Sequence, residues 1–99
     1  MNKEALTENI IRIMTSNIDL DHYSLFYFGS RVRGDASSRS DIDIGLKADG
    51  KIPLHTLYRI KEEIESIPLL QKIDIVDFSR VSEDFRELAE KDKEIFYEQ

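Results

Sequence analysis

The sequence predicts an α/β (α+β) fold in which helices pack on a small sheet. Two patterns lead to that class. Stretches with apolar residues at helical spacing alternate with short, strand-like apolar runs. Their order, α-β-β-α-β-α, is the kind of alternation that layers helices on a sheet. The size agrees: 99 residues, 40% hydrophobic and 34% charged, suit one folded domain rather than a disordered tail. Residues 1–99 are therefore expected to form a single domain.

Each element has its own reason. Leu6, Ile10, Ile13, Met14 and Ile18 fall on one helical stripe, so residues 3–17 read as a helix, with Asn2 and Thr7 as polar capping candidates. Ser24-Leu25-Phe26-Tyr27-Phe28 is apolar on both faces, the mark of a buried central strand, and it stops at Gly29-Ser30. Arg31 to Ser40 is polar and reads as a loop, with room for one helical turn at its start. In Asp41-Ile42-Asp43-Ile44-Gly45-Leu46 the apolar residues share one face and the two acids the other. Pro53 suits the first turn of a helix over 54–66, where Leu57, Ile60, Ile64 and Ile67 line one side and Pro68 ends the pattern. Residues 72–77, Lys-Ile-Asp-Ile-Val-Asp, form a third strand. A last helix opens near Ser82, with Phe85, Leu88 and Ala89 inward, and Ile95 and Phe96 close the core from a C-terminal turn. The short loop between the first two strands does not fix their relative direction.

Charge and composition exclude several classes of function. Fourteen Lys and Arg stand against 20 Asp and Glu, a net charge of −6, which disfavours tight non-specific binding to nucleic acid. With no cysteine there is no disulfide framework, thiolate nucleophile or Cys-ligated zinc. No apolar run is long enough to span a membrane, and the N-terminus lacks an apolar signal region, so no membrane partner and a cytoplasmic location are expected. His22 and His55 sit in polar segments and read as surface residues. Tyr23, Tyr27, Tyr58 and Tyr97 read as packing residues.

The chemistry concentrates between Gly29 and Asp43. Asp41 and Asp43, at i and i+2 of a strand, project to one face about 6–7 Å apart at the backbone. Two carboxylates so placed repel each other unless a cation lies between them, and hard oxygen ligands suit Mg²⁺ or Mn²⁺. Asp74 interrupts the apolar run Ile73–Val76 and is the candidate third carboxylate of a two-ion site. Buried alone it would cost several kcal/mol, so it needs a partner or solvent. Asp77 is the rival, explained more simply by exposure at the strand end. A strand that ends in Gly29-Ser30 and enters a helical turn aims backbone N–H groups at one point, an anion cradle to which the serine hydroxyl adds a donor. Arg31 or Arg33 could pair with phosphate oxygens. Ser40, just before the acids, joins the nucleotide-binding candidates and shapes the entry to the acidic strand. A phosphate cradle beside a two-metal carboxylate site is machinery for in-line phosphoryl or nucleotidyl transfer.

At these residues the sequence resembles the DNA polymerase beta-like nucleotidyltransferases, and within them the minimal nucleotidyltransferases. The shared signature is Gly-Ser, about ten residues, then Asp-x-Asp, with a third Asp on a later strand. Here Gly29-Ser30 and Asp41-Ile42-Asp43 stand ten residues apart, and Asp74 follows. Val32 stands where many relatives have alanine, and Ser37-Ser38 where Arg-Pro is frequent; neither touches the inferred chemistry. The resemblance implies a small mixed sheet and a single nucleotidyltransferase domain over 1–99. It implies that Gly29 and Ser30 hold the triphosphate of an NTP, that Asp41, Asp43 and Asp74 ligate Mg²⁺, two ions in all, and that Asp74 also assists deprotonation of the attacking hydroxyl. It further implies ATP as substrate, AMP as the transferred group, and an antitoxin role toward a HEPN-domain ribonuclease encoded nearby, with AMP placed on a tyrosine of that toxin.

Three functional readings follow. In the first, the protein is an Mg²⁺-dependent nucleotidyltransferase acting on a hydroxyl, more plausibly of a protein than of a polynucleotide given the net charge. In the second, it is a non-catalytic module that neutralises a partner toxin by complex formation. In the third, it is the nucleotide-transfer subunit of a two-protein assembly whose acceptor pocket comes from the partner.

Overall fold

The computed structural model describes residues 1–19, 21–29, 32 and 41–99. Helix α1 (Lys3–Asn17) begins at Asn2, whose side-chain oxygen accepts from the Ala5 N–H at 2.8 Å, and buries Leu6, Ile10, Ile13 and Met14. Strands β1 (Tyr23–Phe28) and β2 (Ile42–Ala48) pair antiparallel, with Phe28 opposite Asp43. Helix α2 (Leu54–Glu65) follows Pro53 and buries Thr56, Leu57, Ile60 and Ile64. It leads into β3 (Ile73–Asp77), which lies parallel to β2. Helix α3 (Glu83–Glu90) is capped by the Ser82 hydroxyl, and β4 (Glu94–Glu98) returns antiparallel to β1. The sheet order is β3-β2-β1-β4, so the sheet is mixed and carries helices on both faces.

Strand alternation divides the core in two. Leu25 and Tyr27 of β1, Ile42, Ile44 and Leu46 of β2 and Ile75 of β3 pack with the buried stripes of α1 and α2. The opposite face carries an aromatic cluster of Phe26, Phe28 and Phe78, with Val76, Val81 and Ala89 against it. The Phe26 and Phe28 rings meet Phe78 edge-on, with centroids 4.9 and 5.3 Å away. Gly45 sits beneath them. A Cβ there would collide with Phe26 and lie 2.8 Å from Phe78 Cε1, so the rings occupy the space a side chain would need.

Three sequence expectations are corrected. Ile95 and Phe96 belong to a fourth strand rather than a terminal turn, which extends the element order to α-β-β-α-β-α-β. The segment Glu94–Glu98 is rich in β-branched and aromatic residues, and it covers a β1 edge that would otherwise stand open. Second, α3 buries none of its residues: Phe85 is 39% and Leu88 69% exposed. Phe85 still lays its ring edge-on against Phe28 at 6.2 Å, but Leu88 faces outward. Third, Tyr58 is exposed, whereas Tyr23 and Tyr27 are buried as packing residues. His22 and His55 lie on the surface. Among the described residues, no helix is long and apolar enough to cross a membrane.

Candidate active site

The described candidate residues meet at one end of the sheet. Because β1 runs against β2, the C-terminal end of β1 lies beside the start of β2, and the parallel β3 starts there too. Gly29, Asp41, Asp43 and Asp74 therefore come from three neighbouring strands and fall at the same end.

Asp43 and Asp74 are register partners in the β2–β3 pair. Adjacent strands lie about 4.8 Å apart, and residues in register project to the same face. That face is the one bearing the aromatic cluster, since Asp43 alternates with Ile42 and Ile44, and Asp74 with Ile73 and Ile75. Asp41 lies just ahead of β2, two residues before Asp43, and is exposed. Asp74 meets both of the conditions its setting imposes. Its side chain is 40% exposed, and the Lys72 ammonium lies 3.6 Å from Oδ1.

Gly29 closes the site from β1. It holds φ +82°, a conformation that side-chain-bearing residues rarely adopt. A Cβ at this position would collide with Asp43 Oδ2 and lie 3.3 Å from Cγ. The glycine is thus required twice, by its backbone angle and by the carboxylate against it. The Val32 N–H donates to the Gly29 carbonyl at 3.2 Å, and Val32 packs on the helix-side core. Ser30, Arg31, Arg33 and Ser40, the other nucleotide-binding candidates, lie outside the described residues.

Asp77 has a different task. It is 9% exposed, not solvated as its place at the strand end suggested. Its carboxylate accepts from the Ser79 N–H at 3.0 Å, from the Ser79 hydroxyl at 2.8 Å, and from the Arg80 guanidinium. By alternation it belongs to the helix-side face, with Ile73 and Ile75, and it pins the turn after β3. This separates it from the acidic pair and leaves Asp74 as the candidate for third carboxylate.

The donor set consists of carboxylate oxygens, which fit a hard divalent cation such as Mg²⁺. Among the described residues, no three His, Cys, Asp or Glu side chains are already gathered as a metal-holding group. The register supplies a pair, Asp43 and Asp74, with Asp41 next to it. Sequence reading did not single out Lys72, although its signal was present: it stands two residues before Asp74 and so shares its strand face.

Residues 8–99 match the family described as Polymerase beta, Nucleotidyltransferase. The chain belongs to that family. A probable protein adenylyltransferase, MntA, of Haemophilus influenzae is 35% identical over 69 residues, which are 70% of this chain and 60% of the relative. The matched stretch thus spans less than two-thirds of that relative's length. Two solved structures share the fold. A toxin–antitoxin crystal structure with AMP-PNP superposes with TM-score 0.76 at 22% identity, covering 94% of this chain and 73% of that one. The tri-AMPylated Shewanella oneidensis HEPN toxin in complex with MNT antitoxin gives 0.75 at 18% identity, covering 99% and 74%. The nucleotidyltransferase fold and family inferred from Gly29-Ser30, Asp41, Asp43 and Asp74 are thereby borne out, and with them the mixed sheet.

Proposed function

We propose that this nucleotidyltransferase domain, taken as one unit over residues 1–99, moves AMP from ATP to a hydroxyl of a partner protein in the cytoplasm. The partner proposed is a HEPN-domain toxin, which the transfer would silence. The observation that carries this reading is the seating of Gly29 on Asp43, with Asp43 in register beside Asp74. It joins the glycine of a phosphate cradle to the acids of a cation site, the two halves that nucleotidyl transfer needs. The kinship with MntA, and the fold shared with an antitoxin bound to an AMPylated HEPN toxin, support the choice of transferred group and acceptor.

In this reading Asp41, Asp43 and Asp74 hold two Mg²⁺ ions. The bound ions supply charge neutralisation of the triphosphate and of the attacking oxygen. Gly29 and Ser30 receive the triphosphate, with Arg31, Arg33 and Ser40 as further nucleotide contacts. The absence of a side chain at Gly29 lets phosphate oxygens come close to the backbone and to Asp43 together. Asp74, whose side chain is 40% exposed, takes up the proton of the acceptor hydroxyl as the oxygen attacks the α-phosphorus. The bond to the α-phosphorus forms as the α–β bridging bond breaks, and pyrophosphate leaves.

The test is transfer of label from α-³²P-ATP, with Mg²⁺, to proteins of the host extract. Label is expected with the native chain and lost with Asp41→Asn/Asp43→Asn. Protease-sensitive label supports a protein acceptor, and ribonuclease-sensitive label would replace it with RNA. If the double variant still neutralises its toxin at equal dose, the non-catalytic binding reading takes over.

A further inference from the structure

The parallel register places more than carboxylates on the active face. The Ile42 N–H donates to the Lys72 carbonyl at 2.8 Å, which locks Lys72 to β2 at the point where the strand begins. Ile42 pairs with Ile73 and Asp43 with Asp74, so one step back Lys72 lies beside Asp41. Strand alternation puts Asp43 and Asp74 on one face, and the Lys72 ammonium reaches Asp74 there. Asp43 and Asp74 are the register pair of β2 and β3, and Asp41 and Lys72 lie just ahead of those two strands. Among the described residues there, Lys72 is a cation beside the acids Asp43 and Asp74. The ammonium lies 3.6 Å from Asp74 Oδ1, and the lysine side chain is 72% exposed on a flexible four-carbon stem.

We propose that Lys72 serves as an exchangeable counter-charge of the site. In the nucleotide-free protein its ammonium offsets Asp74; once a divalent ion takes that carboxylate, the ammonium moves to the phosphate oxygens of the incoming nucleotide. This rests on the nucleotidyl-transfer reading and deepens it, adding a nucleotide contact from the residue just before β3 to those expected from the Gly29 turn. The physics is simple competition. An ammonium and a divalent cation compete for the same carboxylate charge, and an exposed ion pair is weak enough to be displaced. A triphosphate offers the displaced ammonium a denser negative partner than water does.

The prediction has opposite signs in two binding measurements. Without nucleotide, Lys72→Met should bind Mn²⁺ about two- to fivefold more tightly than the native chain, read by paramagnetic resonance of free Mn²⁺. At saturating Mg²⁺ and with no acceptor, the same variant should bind ATP about three- to tenfold more weakly by calorimetry. Lys72→Arg, which keeps the charge, should stay near the native values in both. Equal Mn²⁺ and ATP affinities in Lys72→Met and the native chain would overturn the proposal. So would a loss of both together, which is what a merely distorted β3 would give. The Asp43→Asn chain separates this failure from a deeper one. If it still binds Mn²⁺ like the native protein, the carboxylate site itself is misassigned.

Discussion

The Cα of Gly29 lies against the carboxylate of Asp43, on a backbone of positive φ that holds the end of β1 over the start of β2. Gly29→Ala should therefore damage the site more than the fold. The left-handed conformation costs an alanine about 1–2 kcal/mol, roughly 4–8 °C in melting temperature per kcal/mol for a domain of this size. The added methyl must also displace Asp43. Nucleotide transfer is expected to fall at least about tenfold in a chain that still melts cooperatively. A melt and a label-transfer assay on the same preparation check both parts.

Asp74 and Asp77 are two residues of one strand that should respond oppositely to the same change. Asp77→Asn weakens a buried carboxylate that accepts from Ser79 and Arg80, so stability should drop by about 1–3 kcal/mol. Transfer by the fraction that remains folded should persist. Asp74→Asn removes a half-exposed charge whose neighbour is Lys72 at 3.6 Å, so stability should change by less than about 1 kcal/mol. Transfer should fall by about a hundredfold or more. Denaturant titration beside initial rates separates the two, and a stable but fully active Asp74→Asn would remove it from the site.

That contrast also marks how far the sequence carried the account. Asp41 and Asp43 were legible because alternation puts two acids on a face that has no need of them. Asp74 was legible because it breaks an apolar run. Asp77 was misread: its partners, Ser79 and Arg80, follow in a turn, and periodicity says nothing about which way a turn folds back. The fourth strand was missed because Glu94–Glu98 shows no clean alternation; it becomes a strand through the edge of β1, a long-range partner. Lys72 was passed over although it stands two residues before Asp74, because spacing alone does not show that its ammonium reaches that carboxylate. The same limit hid the exposure of Leu88, whose helical spacing from Phe85 suggested a buried stripe.

Gly45 tests the packing behind the site. Its missing Cβ is replaced by the Phe26 and Phe78 rings, both buried. Gly45→Ala forces the rings to move, and overpacking of this kind costs about 1–3 kcal/mol. Because Phe28 of the same cluster pairs with Asp43, transfer should decline as well. An unchanged melting temperature would show that the aromatic cluster is looser than these contacts imply.

Tyr23 gives an alkaline signature. Burial first, and then the hydrogen bond and charge of Tyr97, push its hydroxyl from 10.0 up to about 12. The unfolded chain therefore loses this proton at lower pH than the folded one. The contribution to stability is complete below about pH 10 and declines between about pH 10 and 12 as the unfolded state ionises first. Tyr23→Phe should flatten that part of the stability profile, measured by denaturant midpoints across the range.

One paired measurement distinguishes transfer of a nucleotide from transfer of a phosphate. Native protein, Mg²⁺ and the partner protein would be incubated with ATP labelled at the α-phosphorus or, in parallel, at the γ-phosphorus. Label is expected on the partner from the α position alone, abolished by Asp41→Asn/Asp43→Asn. Label from the γ position, or α label that survives the double substitution, would contradict it.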